Sequence, residues 1–541
     1  MCAHSHPSDS HSHTGAGSFA DTIAQGIETG RLDPHLERFE LPRLARVVQR
    51  RETTILDNTD CRTFRALSNE SPAGLLMRTA MGLACHESRP DEQALHFFEL
   101  MADGDFLPAP MVLRHAGTRT IAAPEGVMDP AATAARGAND WREGDTLVLS
   151  SLAAEQWPRP PAGCCLALSA WHADLDTFLS RLVPTPGIAT MIWLPDLFMK
   201  RLAEDGEWSL FPPAQCPELN VLYGAAFEAR YIEHERHAAR TPGQHVERLR
   251  ARELWQRLMQ LLNECGGPWP AFRDTCNLAS LQRHAGVVQA TSADGALLLN
   301  SDADTTATAV RGVINLERHL HGDLPDAARL REIARSAVRM LDNAIELLAA
   351  DPRAARSLRY YRALGIAPGG LAEALAGPEA HDRSQQLDAL VGHFARAVIE
   401  ASRILAVERG ACPAFAGSLW QQGALPQDAP AMIRRERGDE WCDFPDDSEV
   451  PSATAGLRDE IACQGLRNLA LMAAGAHGGL SQLPISLADG SAFSLEQMAG
   501  AQRHLDQGWA VAGPLRREGG EAPSLRIQRA WRLGIRTLPA P

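Results

Sequence analysis

Three sets of side chains in this sequence are of the kinds that do chemistry. The first thirteen residues carry Cys2, His4, His6, His11 and His13, with two His-x-His pairs among them. Imidazole and thiolate at that density suit zinc, nickel or copper, although a floppy peptide offers no fixed geometry and adventitious binding is the competing reading. His234-Glu235-Arg236-His237 has the residue types of a zinc-protease helix. It is one residue short of the spacing that puts both histidines on one helix face, so we read a solvated helix surface. Asp294, with Asp302 and Asp304 beyond it, offers the hard oxygen donors of a divalent-cation or hydrolytic site; a polar loop is the plainer reading. Other classes are excluded outright. Lys200 is the only lysine and no GxxxxGK occurs, so there is no phosphate loop of that type. No G-x-S-x-G elbow and no Cys/His pair at a recognisable spacing is present.

The elements that must position these residues read as those of a large globular chain. At 541 residues, length allows roughly three or four domain-sized units. The sequence is 45% hydrophobic and 22% charged, and its net charge of -14 argues against nucleic acid or an anionic membrane as principal partner. A nucleotide pocket remains compatible, since it needs only local positive groups and helix N-termini. No apolar run approaches the ~18 residues of a membrane span, and the polar start does not read as a secretory leader. Eleven cysteines without a CxxC fit reduced thiols, and we expect a cytoplasmic protein.

Residues 1–18 are rich in Ser, His and Gly and predict disorder. Helical spacing follows from Ala20 to about Met101, notably over Leu75–Leu83 and Ala94–Met101. Short apolar runs at Thr146–Leu152 and Cys164–Trp171 predict strands or short helices. Amphipathic helices are predicted around 195–204, 222–239 and 245–264, and long ones over 327–350 and 386–408. Ala296–Asn300 is strand-like, and 425–456 reads as an acidic, proline-containing surface loop. Alternation of strands and helices over this length means an α/β architecture.

Ordered segments then carry a resemblance. MIWLPDLFMKR (191–201), WSLFPPAQCPEL (208–219) and LYGAAFEARY (222–231) closely resemble the large subunit of ribonucleotide reductases. So do GIETGRLDPHL (26–36), FFELMADGDFLPAPMVLRHAGTRT (97–120) and WHADLDTFL (171–179) upstream. Downstream, ELWQRLMQLLNECGGPWPAFRDTCN (253–277), RALGIAPGGLAEAL (362–375), ILAVERGACPAF (404–415), GLRN (465–468) and LGIRTL (533–538) follow in the family's order. The resemblance implies the family's ten-stranded α/β barrel, here trimmed, behind an N-terminal helical domain. We expect a His-rich head over 1–18, the helical domain over 19–105, and the barrel over 106–541. Barrel strands are expected to carry Val112–Leu113, Cys164–Ala167, Met191–Trp193 and Leu297–Leu299, with Asp294 on a loop entering the barrel.

In that family a cysteine on a loop inside the barrel becomes a thiyl radical. A glutamate two residues on takes the substrate's 3′-hydroxyl proton, an asparagine two residues before helps hold the substrate, and two further cysteines supply electrons. Aligned without a gap after FRDTCN, those positions fall on Ser292 (asparagine), Asp294 (radical cysteine) and Ala296 (glutamate). The redox cysteines fall on Ala309 and about Gly126. Aspartate cannot form a thiyl radical, and alanine carries no proton. The phosphate-binding loop after GLRN is replaced by Gly475, Ala476, His477, Gly478 and Gly479, which offer backbone N–H groups without hydroxyls. The tyrosine pair expected after LGIRTL, the cysteine-bearing tail and the ATP-cone motif do not appear, and the interval between Thr120 and Gly163 is short. Tyr360–Tyr361 precede RALGIAPGGLA and read as packing residues.

The expectation is a reductase-like chain without catalytic residues for ribonucleotide reduction, acting as a binding or scaffolding module. Ligand-binding candidates are Asp294, Asn277 and Gly475–Gly479; metal candidates are His4, His6, His11 and His13, with no cofactor required. The expected partners are a nucleotide or other small molecule and a diiron small-subunit-like protein, with neither nucleic acid nor membrane, and the expected assembly is a monomer or a dimer unlike the family's. Two alternatives stand beside it: a repurposed metal- or Asp-dependent enzyme in the same barrel, and a working ribonucleoside-diphosphate reductase.

Overall fold

At Ser18 the polar head meets a helix whose start is fixed by a reciprocal cap: Ser18 Oγ accepts from Asp21 N at 3.2 Å, and Asp21 accepts from Ser18 N at 3.0 Å. The computed structural model describes residues 18–51, 64–119, 126–128, 145–159, 162–241, 246–302, 305–321, 324–347, 352–375, 380–444, 455–475, 493–510 and 522–538. These fall into two compact units, Met1–Asp103 with Met111–Thr120, and Gly104–Pro110 with Ile121–Pro541. No helix among the described residues is long and apolar enough to cross a membrane.

The first unit is helical: α1 (Phe19–Glu28), α2 (Leu41–Arg50), α3 (Pro72–Ala84), α4 (Pro90–Asp103) and α5 (Pro110–His115, of which Pro110 belongs to the second unit). α1 buries Phe19, Ile23 and Ile27, the i, i+4, i+8 stripe of an amphipathic helix. α3 is buried all round, as its almost uninterrupted apolar sequence requires. Its one charge, Arg78, is matched by Glu70 and by the carbonyls of Leu113 and Ala116. Gly82 lets the helix backbone meet the chain at Gly117, where a Cβ would lie 2.1 Å from Gly117 N.

The second unit is built on strands β1 (Phe106–Pro108), β2 (Gly126–Met128), β3 (Thr146–Val148), β4 (Cys165–Ser169), β5 (Ala189–Leu194), β6 (Glu207–Leu210), β7 (Glu247–Arg250), β8 (Trp269–Phe272), β9 (Ala307–Thr308), β10 (Val310–Asn315) and β11 (Leu364–Gly369). One sheet has the order β8-β5-β4-β3-β2-β9, parallel from β8 to β2, with β9 antiparallel at the edge. Its central strands CLALS and ATMIWL are buried almost throughout, as strands covered on both faces must be. A second sheet has the order β1-β10-β11. Parallel bridges Ile366↔Met472 and Ala474↔Trp509 extend it, and an antiparallel bridge Ala271↔Thr537 meets β8 at the far edge of the first sheet.

Among the described residues, the α-helices of this unit longer than one turn are α6 (Asp196–Ala203), α7 (Gly224–Arg240), α8 (Ala251–Cys265), α9 (Arg273–Ala279), α10 (Ala327–Leu347), α11 (Pro352–Tyr361), α12 (Ala380–Arg409), α13 (Ala429–Arg437), α14 (Ala455–Gln464), α15 (Leu495–Gln502) and α16 (Pro523–Arg532).

Four expectations need correction. Val112–Leu113 are helical, in α5, whose Pro110 presets a helical φ at the first position; the strand lies earlier, at Phe106–Pro108. Leu297–Leu299 form no strand despite their apolar run. Their amides turn to side chains, Leu297 N to Ser292 Oγ at 2.9 Å and Leu298 N to Gln507 Oε1 at 2.8 Å, instead of to a ladder. The helix expected over 245–264 starts at Ala251, because Glu247–Arg250 is a strand that pairs with β6. The stretch 425–456 is not simply a loop: Ala429–Arg437 is helix, and Ala429 and Ile433 pack under Phe444.

Candidate functional site

The site grows from β8. Directly after it, α9 (RDTCNLA) is buried at every residue, although four of its seven side chains are polar. Such burial is costly unless those groups are matched; most are, although Arg273 Nε and Nη1 find no hydrogen-bond partner among the described residues. Asp274 accepts from the backbone N–H of Asp196 at 2.7 Å and of Gly224 at 3.0 Å, tying the starts of α6 and α7 to α9. Burial, reinforced by the neighbouring Asp196 carboxylate, pushes the Asp274 carboxyl up to about 6. Asp196 itself is held by Arg437 at 2.9 and 3.1 Å and by Trp531 Nε1 at 2.6 Å. Arg273 donates to the Asn220 carbonyl at 2.7 Å and stacks over Phe227 at 5.3 Å; burial lowers its guanidinium to about 10.

Asn277, a ligand-binding candidate, directs its amide to the chain instead. It donates to the carbonyls of Arg273 and Val288 at 3.0 Å each, and accepts from Val288 N at 2.8 Å. This pins the chain as it leaves α9 for the loop that carries the reductase-aligned positions. There Ser292, Asp294 and Ala296 come together in one tight turn. Gly295 N donates to the Ser292 carbonyl at 2.7 Å, and Ser292 Oγ donates to Asp294 Oδ1 at 2.5 Å.

From the opposite side Arg311, on β10, grips the Asp294 carboxylate with both arms, Nη1 to Oδ2 at 2.5 Å and Nη2 to Oδ1 at 3.2 Å. The pair is largely shielded, with side chains 11% and 16% exposed. Such two-pronged, charge-assisted contacts are the strong class of hydrogen bond. Gly475 lies against the turn: a Cβ there would stand 2.5 Å from both Asp294 Oδ2 and the Ala296 methyl. Gly508 N donates to the Ala296 carbonyl at 2.8 Å, and Thr537 Oγ1 to the Gly295 carbonyl at 2.9 Å. Asp294 therefore sits on a buried turn held by β10 and by the segments at 475, 508 and 537.

The two positions aligned with the redox cysteines also lie side by side. Gly126 pairs with Thr308 across β2 and β9, and Ala309 is the next, buried residue. Residues 476–479, the histidine head at 4–13 and Asp304 lie outside the described residues. Asp302 closes a local turn by accepting from Thr305 N at 2.8 Å. The His234–His237 helix face is less solvated than expected. His234 meets Glu218 at 2.8 Å, and Glu235 is bound by both arms of Arg201 at 2.7 and 2.6 Å. Among the described residues no cluster of three or more His, Cys, Asp or Glu is placed to hold a metal ion.

Chemically, the turn presents a carboxylate whose oxygens are already engaged, and no sulfur occurs between Gly286 and Asn300. The Cys276 thiol donates to the Arg536 carbonyl at 3.4 Å, and burial pushes it well above the ordinary thiol range. Arg311 was missed by sequence reasoning. Its signal is a lone charge inside the apolar run of β10 (VRGVIN), because a buried guanidinium requires an anion close by.

Residues 150–490 match the family model described as ribonucleotide reductase, barrel domain, and residues 62–120 match ribonucleotide reductase, all-alpha domain. Among curated proteins, the ribonucleoside-diphosphate reductase subunit alpha of Chlamydia muridarum is 30% identical over 458 residues, covering 75% of this chain and 43% of that protein. The subunit alpha of Chlamydia pneumoniae is 33% identical over 339 residues, 60% of this chain and 32% of that one. The large subunit of vaccinia virus is 28% identical over 328 residues, 58% and 40% respectively. The chain spans less than half the length of these relatives.

Proposed function

The chain belongs to the ribonucleotide reductase large-subunit family, and we propose that its barrel serves as a binding module that does not reduce ribonucleotides. The observation that carries this reading is the Asp294–Arg311 pair. At the position where the resemblance calls for a thiyl-forming cysteine stands a carboxylate fixed by a guanidinium, with only the Ala296 methyl where a proton acceptor is needed. Both carboxylate oxygens are already engaged by Arg311, and no thiol on the turn can store an electron hole. The adjacent Gly126 and Ala309 bring no second pair of sulfurs.

We read the two sheets, of which β9 edges the first and β10, one residue further on, lies in the second, as the walls of the family's closed ten-stranded barrel. The proposed ligand is nucleotide-like, entering near Gly475, and the proposed protein partner is a diiron small-subunit-like protein. Calorimetric titration of the full chain with ribonucleoside mono- and diphosphates tests the binding half of the proposal. Saturable heat is expected with at least one nucleotide. Its absence with all of them would overturn nucleotide binding.

A further inference from the structure

Apart from the barrel turn, the second unit holds a cavity of about 490 Å³ between α12, α13, α15 and the chain at 533–536. That is within the size of sites that enclose drug-sized molecules, roughly 300–1,000 Å³. Its floor is apolar: Ile433 and Phe444 are buried there beside Ala429, and Leu533 lines the same wall. Gly500 of α15 faces open space, since a Cβ added there would meet only Asp388 Oδ1, at 3.8 Å.

Every charge on the described lining already has a partner. Asp388 takes Arg503 at 2.8 and 3.1 Å and His504 at 2.9 Å. Asp443 is bound by both arms of Arg532 at 2.7 and 2.9 Å. Glu496 meets Arg529 at 2.6 Å, and Arg536 points into the carbonyls of Leu505 and Gln507. Among the described residues, then, an anionic ligand would be desolvated with no uncommitted cation to receive it, which is strongly unfavourable. A carboxylate offers about four lone-pair sites, and among the described residues Asp388 Oδ2 accepts only Arg503 Nη2, so one more donor can be taken there.

We propose that this cavity binds an uncharged, mainly apolar organic molecule that presents a hydrogen-bond donor to Asp388. The proposal is independent of what the barrel binds.

A matched pair of fluorescent probes tests it on the full-length protein: N-phenyl-1-naphthylamine, neutral with one N–H, and 8-anilinonaphthalene-1-sulfonate, nearly the same body with an anionic group. The neutral probe is expected to bind with a stoichiometry of one. The anionic probe should bind at least about tenfold more weakly at the same place, for want of a cation. Gly500→Phe puts a ring into the cavity from a helical position with room for its Cβ, and should weaken the neutral probe by about tenfold or more. Its melting temperature should not fall, because replacing a helical glycine is favourable. Asp388→Asn replaces the charged acceptor by a neutral one, and hydrogen bonds to an ionised acceptor are about twice as strong as neutral ones, so it should weaken the neutral probe severalfold. Failure of the neutral probe to bind, binding indifferent to Gly500→Phe, or preference of the unmodified protein for the anionic probe would each overturn the proposal.

Discussion

Asp294 and Arg311 are seventeen residues apart in the chain and meet as the most tightly bonded pair on the aligned turn. Neither is comfortable alone: removing one partner of a shielded ion pair leaves a charge that has lost its solvent, at a cost of about 3–5 kcal/mol when burial is complete. Both side chains keep a little exposure, 11% and 16%, so Arg311→Leu is expected to destabilise the protein by about 2–3 kcal/mol in urea titration. The double variant Asp294→Ala with Arg311→Leu should recover part of that loss, because the carboxylate that lost its guanidinium is removed as well. If the double variant were no more stable than Arg311→Leu alone, the pair would not be coupled as the geometry requires. The sequence exposed half of this arrangement. Asp294 could be placed by alignment with FRDTCN, whereas Arg311 could be found only by asking what a charge was doing inside a buried strand.

The elements around the turn are fixed by polar groups that hydrophobic periodicity does not report. α9 ties α6 and α7 through Asp274, and its carboxyl is shifted up from an ordinary 3.8 to about 6, first by burial and then by the Asp196 carboxylate. A carboxyl whose folded pKa is raised holds its proton more tightly when folded. Below about 4 the shift therefore has no effect, and a penalty on the folded state grows as pH rises to about 6 and stays in full above it. Relative to Asp274→Asn, the unmodified protein should thus lose stability between pH 4 and pH 6. Thermal melts of the two proteins showing a difference that is constant or moves the other way across that window would contradict this account. The same contrast explains which elements were legible. Long amphipathic helices such as Ala327–Leu347, and fully apolar strands such as Ala189–Leu194, announce themselves by period and run. Leu297–Leu299 misled because an apolar run can be buried on a loop when side chains such as Ser292 and Gln507 receive its amides. Val112–Leu113 misled because β-branched and aliphatic residues near a proline fit a short helix as well as a strand.

At the scale of the molecule, the matched residues 62–120 and 150–490 place the family's helical and barrel regions. The interval between Thr120 and Gly163, short beside the family pattern, is where the resemblance puts the dimer helices. We therefore expect a monomer, or a dimer that does not use that bundle. Sedimentation equilibrium should give the mass of one chain, or of a dimer indifferent to substitutions between Thr120 and Gly163; a stable dimer abolished by such substitutions would refute this. The central claim concerns the turn, where sulfur at 294 and a base at 296 are both missing. Groups that act as a unit lose activity together, so Asp294→Cys alone should restore nothing while Ala296 still offers no proton acceptor. The direct measurement is deoxynucleotide production by the purified full chain, supplied with each ribonucleoside diphosphate, a dithiol reductant and an active small subunit. The account predicts none above the level seen without the chain; sustained, dithiol-dependent formation of a deoxynucleotide by the unmodified protein would contradict it.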